Sequence, residues 1–345
     1  MLVMWCQMTR TRFVTQGLFK TNSFQGTLLI IMASVRMICV LLSMACRWFQ
    51  RPIYMKLFNS IYRLYRKNPE IIRYCRRSIV SKCFCAITSE LLQIIIIIII
   101  CANRLSFSVA LSIWCVFCLT STVNVIISQH FAAIAIIRGR YTLINKNIRS
   151  ALADIQPLIP NNSGVFMTKC CHLADIFEDM ARAQSHLQKL TECLSRTYRV
   201  QIICLFIMYY LNHAGICYFM FSIKKYSLIT TNWPGITLVG AVLHLTFYYL
   251  DCWLNLFNIF YLIDSHYEMV KLLSQRTLFQ PGLDQRLEAV LDSFILNLAR
   301  NPFKLNVLGL FKIDRLAAFA VANSLLTHSI LLIQYDVEHH KNWKI

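Results

Sequence analysis

The sequence predicts an all-α fold, a polytopic transmembrane helical bundle with six clear spans and cytoplasmic helical extensions. Three observations carry that expectation. The chain of 345 residues is 57% hydrophobic and 15% charged, with a mean hydropathy of +0.52. A water-soluble domain carries about 25% charged residues. Six stretches approach the ~20 apolar residues that cross a hydrocarbon core of ~30 Å: 27–46, 78–101, 105–128, 200–222, 236–263 and 315–335. All seven prolines (52, 69, 157, 160, 234, 281 and 302) lie outside these stretches, and the chain has only 9 Gly. Uninterrupted helices are therefore expected rather than a β-barrel or a broken-helix transporter.

Charge sets the orientation. The segments 47–77, 138–199 and 264–314 carry nine, nine and six Lys/Arg respectively, whereas Arg104 alone marks the turn after the second span and Lys224 with Lys225 are the only charges in the 223–235 loop. The positive-inside rule puts the three basic segments in the cytoplasm and the C-terminus outside. Of the 35 basic residues, 24 lie in those segments, so the net charge of +19 reads as a topological marker. Residues 1–26 form an N-terminal segment without a recognisable signal peptide, 27–335 a single transmembrane helical domain, and 336–345 an extracellular tail. Asn161-Asn162-Ser163 is a glycosylation sequon expected to stay unused, because it is cytoplasmic.

Three segments extend beyond membrane thickness. The apolar pattern that starts at Leu105 continues to Ile137, and 33 helical residues reach ~50 Å, so that helix should project into the cytoplasm. Leu173, Ile176, Met180, Ala183, Leu187, Leu190 and Leu194 alternate spacings of three and four, which predicts a cytoplasmic helix running into the fourth span. Leu287, Leu291, Phe294 and Leu298 predict another, ended by Asn301-Pro302. These helices either pack on one another within one chain or form a collar that joins subunits.

Few residues suggest enzymatic or metal chemistry. Cys115-x-x-Cys118 lies in an apolar span, and Cys170-Cys171-His172 with Asp175 offers adjacent ligands of poor geometry. Ten of the fifteen cysteines lie in apolar segments and read as small buried hydrophobes rather than a disulfide framework. Without a phosphate loop, nucleophile elbow or paired catalytic carboxylates, neither an enzyme nor a cofactor is expected. The aromatic-rich basic segment 47–77 superficially suits nucleic acid, yet its place between two spans favours anionic lipid and no nucleic-acid partner.

Charges within spans are more informative, since each costs about 2.5–3.5 kcal/mol at a helix centre. Arg36, Glu90 and Asp251 are such residues, and pairing of Arg36 with Glu90 or Asp251 is one expectation. In the fifth span His244, Tyr248, Asp251, Asn255 and Asn258 share one face, with Trp253 pointing the other way. That stripe suits interhelical hydrogen bonding or a hydrated ligand pocket, whose contacts would be His244, Tyr248, Asp251 and Asn255. The last span has a second stripe: Ala320, Asn323, Thr327, Ile330 or Leu331, and Gln334. Its polar and aliphatic groups alternate as a pore wall requires, although ordinary helix packing explains the pattern equally well.

The residues Gly309-Leu310-Phe311 and Thr327 through Tyr335 resemble the signature of insect gustatory receptors, whose last helix carries Thr-Tyr, five mostly hydrophobic residues, then Gln-Phe. Thr327 and Gln334 match at the right spacing, His328 and Tyr335 replace the two aromatics, and Ser329 interrupts the hydrophobic five. Span order and loop charge agree with the family from about residue 27 to 335. The resemblance implies a multi-pass plasma-membrane receptor of chemosensory neurons: a ligand-gated, non-selective cation channel for small-molecule tastants. It implies a homo- or hetero-tetramer with other gustatory receptors, lined by the last helix at Asn323, Thr327, Ile330, Leu331 and Gln334. The family has seven spans; here the helix at 27–46 precedes the basic linker that follows the family's second helix, so its first is missing or degenerate. A G-protein-coupled receptor would show proline-kinked later spans, and a secondary transporter internal repeats with broken helices.

Overall fold

The computed structural model describes residues 23–101, 107–158, 163–226, 235–274, 284–303, 306–307, 311–312 and 315–339. Its helices are α1 (Ser23–Phe49), α2 (Arg51–Lys67), α3 (Ile71–Cys101), α4 (Phe107–Ile155), α5 (Gly164–Thr197), α6 (Arg199–Tyr226), α7 (Gly235–Ser274), α8 (Gln285–Arg300) and α9 (Arg315–His339). Between α8 and α9, β1 (Asn306–Val307) and β2 (Phe311–Lys312) form a two-residue antiparallel hairpin, with Val307 opposite Phe311. That hairpin is the one departure from an all-helical reading among the described residues. The sequon asparagine, Asn161, lies outside them.

Local chemistry sets the helix boundaries. Pro52 occupies the first turn of α2, where its missing N–H costs nothing. Asn68 caps the end of α2 outside the helical region, which the following Pro69 disfavours for it. The Ser163 hydroxyl accepts the Phe166 N–H at 3.3 Å and Asp284 accepts the Arg286 N–H at 3.1 Å, opening α5 and α8. Tyr198 alone separates α5 from α6, so α5 runs almost directly into the next span, as the heptad spacing predicts.

Five helices contain a described stretch long and apolar enough to cross a bilayer: α1, α3, α4, α6 and α9. The remaining span of the sequence reading, the fifth at 236–263, is the first part of α7, which packs along both α3 and α4. At 49 residues α4 is ~74 Å long, more than twice the hydrocarbon core, and outruns the expected end at Ile137 by 18 residues. Where α4 crosses the start of α3 the backbones nearly touch. A Cβ on Gly139 would sit 2.9 Å from Ile71 Cγ2 and 3.3 Å from the Ile71 carbonyl oxygen, so only glycine permits this approach.

The main core lies in the predicted cytoplasmic part. Ile137, Tyr141, Ile144 and Ile148 of α4 meet Leu173, Phe177, Leu187 and Leu194 of α5, Leu287 and Phe294 of α8, and Met269 and Leu273 of α7. Within the spans the buried clusters are small, such as Cys39, Val40, Val123, Ile127, Cys204 and Met208. Large apolar side chains there point outward instead, among them Ile38, Phe84, Leu91, Ile95, Val239, Trp253 and Phe257. Lipid rewards such exposure as well as a core would, which is how a multi-pass membrane protein is built. The same physics corrects one reading of the cysteines. Cys83 and Cys118 are exposed rather than buried, while Cys39, Cys85 and Cys204 are in the interior.

In this main core His266 stacks on Phe303, with ring centroids 4.8 Å apart, and meets the Tyr141 ring edge-on at 5.9 Å. Burial pushes its imidazole down to about 4. The unfolded chain therefore binds a proton that the folded chain refuses between pH ~6.5 and ~4, and stability must fall as pH drops through that window. His266→Phe is expected to flatten the acid side of the thermal-stability profile of the purified protein. An unchanged profile would refute the assignment.

Candidate functional site

A cavity of about 280 Å³ lies within the membrane bundle, walled by α1, α3, α4, α6 and α7. Its polar lining comprises Arg36 from α1, Ser89, Glu90 and Gln93 from α3, Asn124 from α4, Tyr209 and Asn212 from α6, and His244, Tyr248 and Asp251 from α7. Ala86, Val123, Ile127, Leu205, Met208, Ile216 and Leu245 complete it. Residues spaced three, four and seven apart share a helix face, so α7 delivers His244, Tyr248 and Asp251 to one wall.

The remaining stripe residues have other positions. Asn255 is not in the lining; its Nδ2 donates to the Asp251 carbonyl at 2.9 Å and to Asp251 Oδ2 at 3.4 Å, one turn below. Asn258 is buried and donates to the Phe131 carbonyl at 2.9 Å, tying α7 to α4. The stripe thus divides into cavity wall, support for Asp251, and interhelical anchor.

Both acidic groups of the cavity accept from protein donors on each oxygen. Asp251 Oδ1 pairs with Lys82 Nζ of α3, and Oδ2 also accepts from the Tyr209 hydroxyl at 3.4 Å. Glu90 accepts from Ser121 Oγ at 2.5 Å and from Asn124 Nδ2. His244 Nδ1 lies 3.0 Å from the Ser89 carbonyl, which requires a proton on that nitrogen. Asn212 Nδ2 donates to the Tyr248 hydroxyl at 3.1 Å, leaving the phenolic proton free to point elsewhere. Tyr209 and Tyr248 pack edge to face at 5.4 Å.

This corrects the expected pairing of Asp251 with Arg36. The partner is Lys82, only 2% exposed, which the sequence reading does not single out because it stands near the start of an apolar run. An acid midway along a span needs a cation at matching depth, and that requirement was the available signal. Ser89, Tyr209 and Asn212 carry no comparable signal, being single polar residues in apolar helices.

The helix α9 packs on α6. The Tyr210 hydroxyl meets Ser324 Oγ at 2.8 Å and His328 Nδ1 at 2.9 Å, so the histidine that departs from the resembled motif holds the two helices together. Asn323, Thr327, Ile330, Leu331 and Gln334 are all exposed. Thr327 Oγ1 donates to the Asn323 carbonyl at 3.0 Å. Within one chain this mixed face covers nothing.

Together these features define a class: a multi-pass helical membrane protein with a polar, small-molecule-sized chamber inside its bundle and a terminal helix left open along one side. The chain matches the profile described as 7tm Chemosensory receptor over residues 1–339, and it belongs to that family. It is 52% identical over 318 residues to gustatory receptor 59d of Drosophila melanogaster, covering 92% of this chain and 82% of that one. Gustatory receptor 36b of the same species is 33% identical over 327 residues, covering 94% and 83%. Among solved structures the fold resembles the insect olfactory receptor OR5 from Machilis hrabei, with a TM-score of 0.61 at 13% identity over 96% of this chain and 88% of that one. The same receptor in complex with eugenol gives 0.62.

Proposed function

We propose that this chain is a taste receptor subunit of a ligand-gated, non-selective cation channel in the plasma membrane of chemosensory neurons. Small-molecule tastants enter the cavity at His244, Tyr248 and Asp251, with Asn255 holding Asp251, and α9 lines a pore at the centre of a homo- or hetero-tetramer. The observation that carries the reading is the pairing of a polar intrabundle cavity with an α9 face that a single chain leaves uncovered. Membership of the chemosensory receptors and likeness to gustatory receptors support the ligand class. With its basic segments 47–77, 138–199 and 264–314 in the cytoplasm, the C-terminal tail is extracellular.

The test is a tastant panel applied to cells expressing the receptor, alone and with gustatory partner subunits, without added G protein. Fast cation current is expected. A response that needs a G protein, or uptake without current, would overturn the channel reading. His244→Ala and Tyr248→Ala should each raise the agonist concentration for half-maximal current by about tenfold, the cost of one or two lost hydrogen bonds in a desolvated site. Gln334→Ala should change conductance or cation selectivity while leaving half-maximal concentration in place. Unaltered permeation in that variant would remove Gln334 from the pore.

A further inference from the structure

We propose that Arg36 makes this cavity selective for ligands bearing a carboxylate. The inference rests on the cavity being the ligand site and adds the chemistry of what it takes.

It follows from which hydrogen-bonding groups are already used. The two lining acids already accept from protein donors on both oxygens: Asp251 from Lys82, Tyr209 and Asn255, and Glu90 from Ser121 and Asn124. Arg36 differs. It lies midway along α1 on the cavity wall, and no protein acceptor or ion pair holds its guanidinium among the described residues. Glu90 and the Tyr248 ring system lie near enough to act on its charge without bonding to it.

A guanidinium inside a membrane bundle is costly until its donors are met. Water can meet them in the unliganded cavity. A ligand that displaces that water must itself offer acceptors, and the planar fork of arginine matches the two oxygens of a carboxylate. Tyr248 strengthens the case, because Asn212 already donates to its oxygen and its own proton is therefore available to a ligand oxygen. Arg36 and Tyr248 thus both offer donors to a ligand oxygen. Ile127, Leu205 and Met208 supply apolar lining, and about 280 Å³ suits a compact apolar body behind the acid group.

The experiment measures the thermal stabilisation of purified full-length receptor by matched probes: cinnamate and octanoate against cinnamylamine and octylamine. Folding of each variant is checked by monodisperse elution in detergent. The two carboxylates should stabilise the wild type and the amines should not. Arg36→Gln should weaken carboxylate binding by about ten- to a hundredfold, while Arg36→Lys, keeping charge without the fork, retains part of it. Equal stabilisation by acids and amines, no stabilisation by either acid, or a carboxylate preference that survives Arg36→Gln would overturn the proposal. An Ala86→Phe variant separates this from the cavity reading, since it fills the chamber. If binding persists in it, the cavity is not the ligand site. If binding is lost there but Arg36→Gln keeps its acid preference, the cavity stands and only the role of Arg36 falls.

Discussion

Asp251→Ala is expected to destabilise the membrane bundle by about 3–5 kcal/mol, because it leaves Lys82 charged and unpaired in the interior. Lys82 and Asp251 are 2% and 7% exposed, and the acid holds three helices together through Lys82 on α3, Tyr209 on α6 and Asn255 on its own helix. Removing it orphans the ammonium and the tyrosine hydroxyl at once. The mirror variant Lys82→Ala strands the carboxylate and should cost a similar amount. The double replacement Lys82→Met with Asp251→Leu is predicted to be milder than either single change, since an apolar pair of similar volume leaves no stranded charge. Thermal denaturation of detergent-purified protein, read as loss of the monodisperse species, ranks the three variants. A double variant no better than the worse single one would show that the pair contributes more than mutual neutralisation. Because Asp251 also lines the cavity, the currents of a folded double variant separate stability from ligand contact.

The part of this pair that was legible in the sequence shows where pattern reading runs out. Asp251 stands out midway along a span as an expensive group, and its stripe partners follow from helix geometry alone. Lys82 is four residues inside the second stretch, where a cation is ordinarily read as snorkelling toward the interface. Depth depends on how far α3 is slid across the membrane, and only tertiary packing fixes that. The exposed Cys83 and Cys118 have the same origin. Apolar periodicity marks residues that avoid water, and in a bilayer both the lipid face and the core satisfy it. Where water is the solvent the spacing is unambiguous. Leu173, Met180, Leu187, Leu190 and Leu194 of α5 are all buried, with Ile176 and Ala183 packed against them. The full length of α4 was missed because its pattern beyond Ile137 changes from membrane-like to amphipathic without a helix-breaking residue before Pro157.

The amphipathic helix α8 therefore gives the sharpest test of the main core. Its buried face is Leu287, Leu291, Phe294 and Leu298, the four positions that the spacing marks. Phe294 is 1% exposed and belongs to the cluster containing Phe177 and Leu187 of α5, the helix against which α8 packs. Phe294→Ala is expected to cost about 3–5 kcal/mol, combining the lost burial of a ring with the cavity left in a close-packed interior. Leu296, two positions away and 49% exposed, supplies the control: Leu296→Ala should change stability by less than about 0.5 kcal/mol. A helix of 16 residues is barely stable alone, so a weakened contact with α5 should loosen α8 as a unit. The surface pair Arg286–Asp175, at 2.5 Å but half exposed on both sides, adds too little to hold it. Limited trypsin digestion at Arg286 and Arg300 should accordingly accelerate in Phe294→Ala and not in Leu296→Ala. Equal protection in both variants would mean that α8 is held by contacts outside this face, including those from a neighbouring subunit.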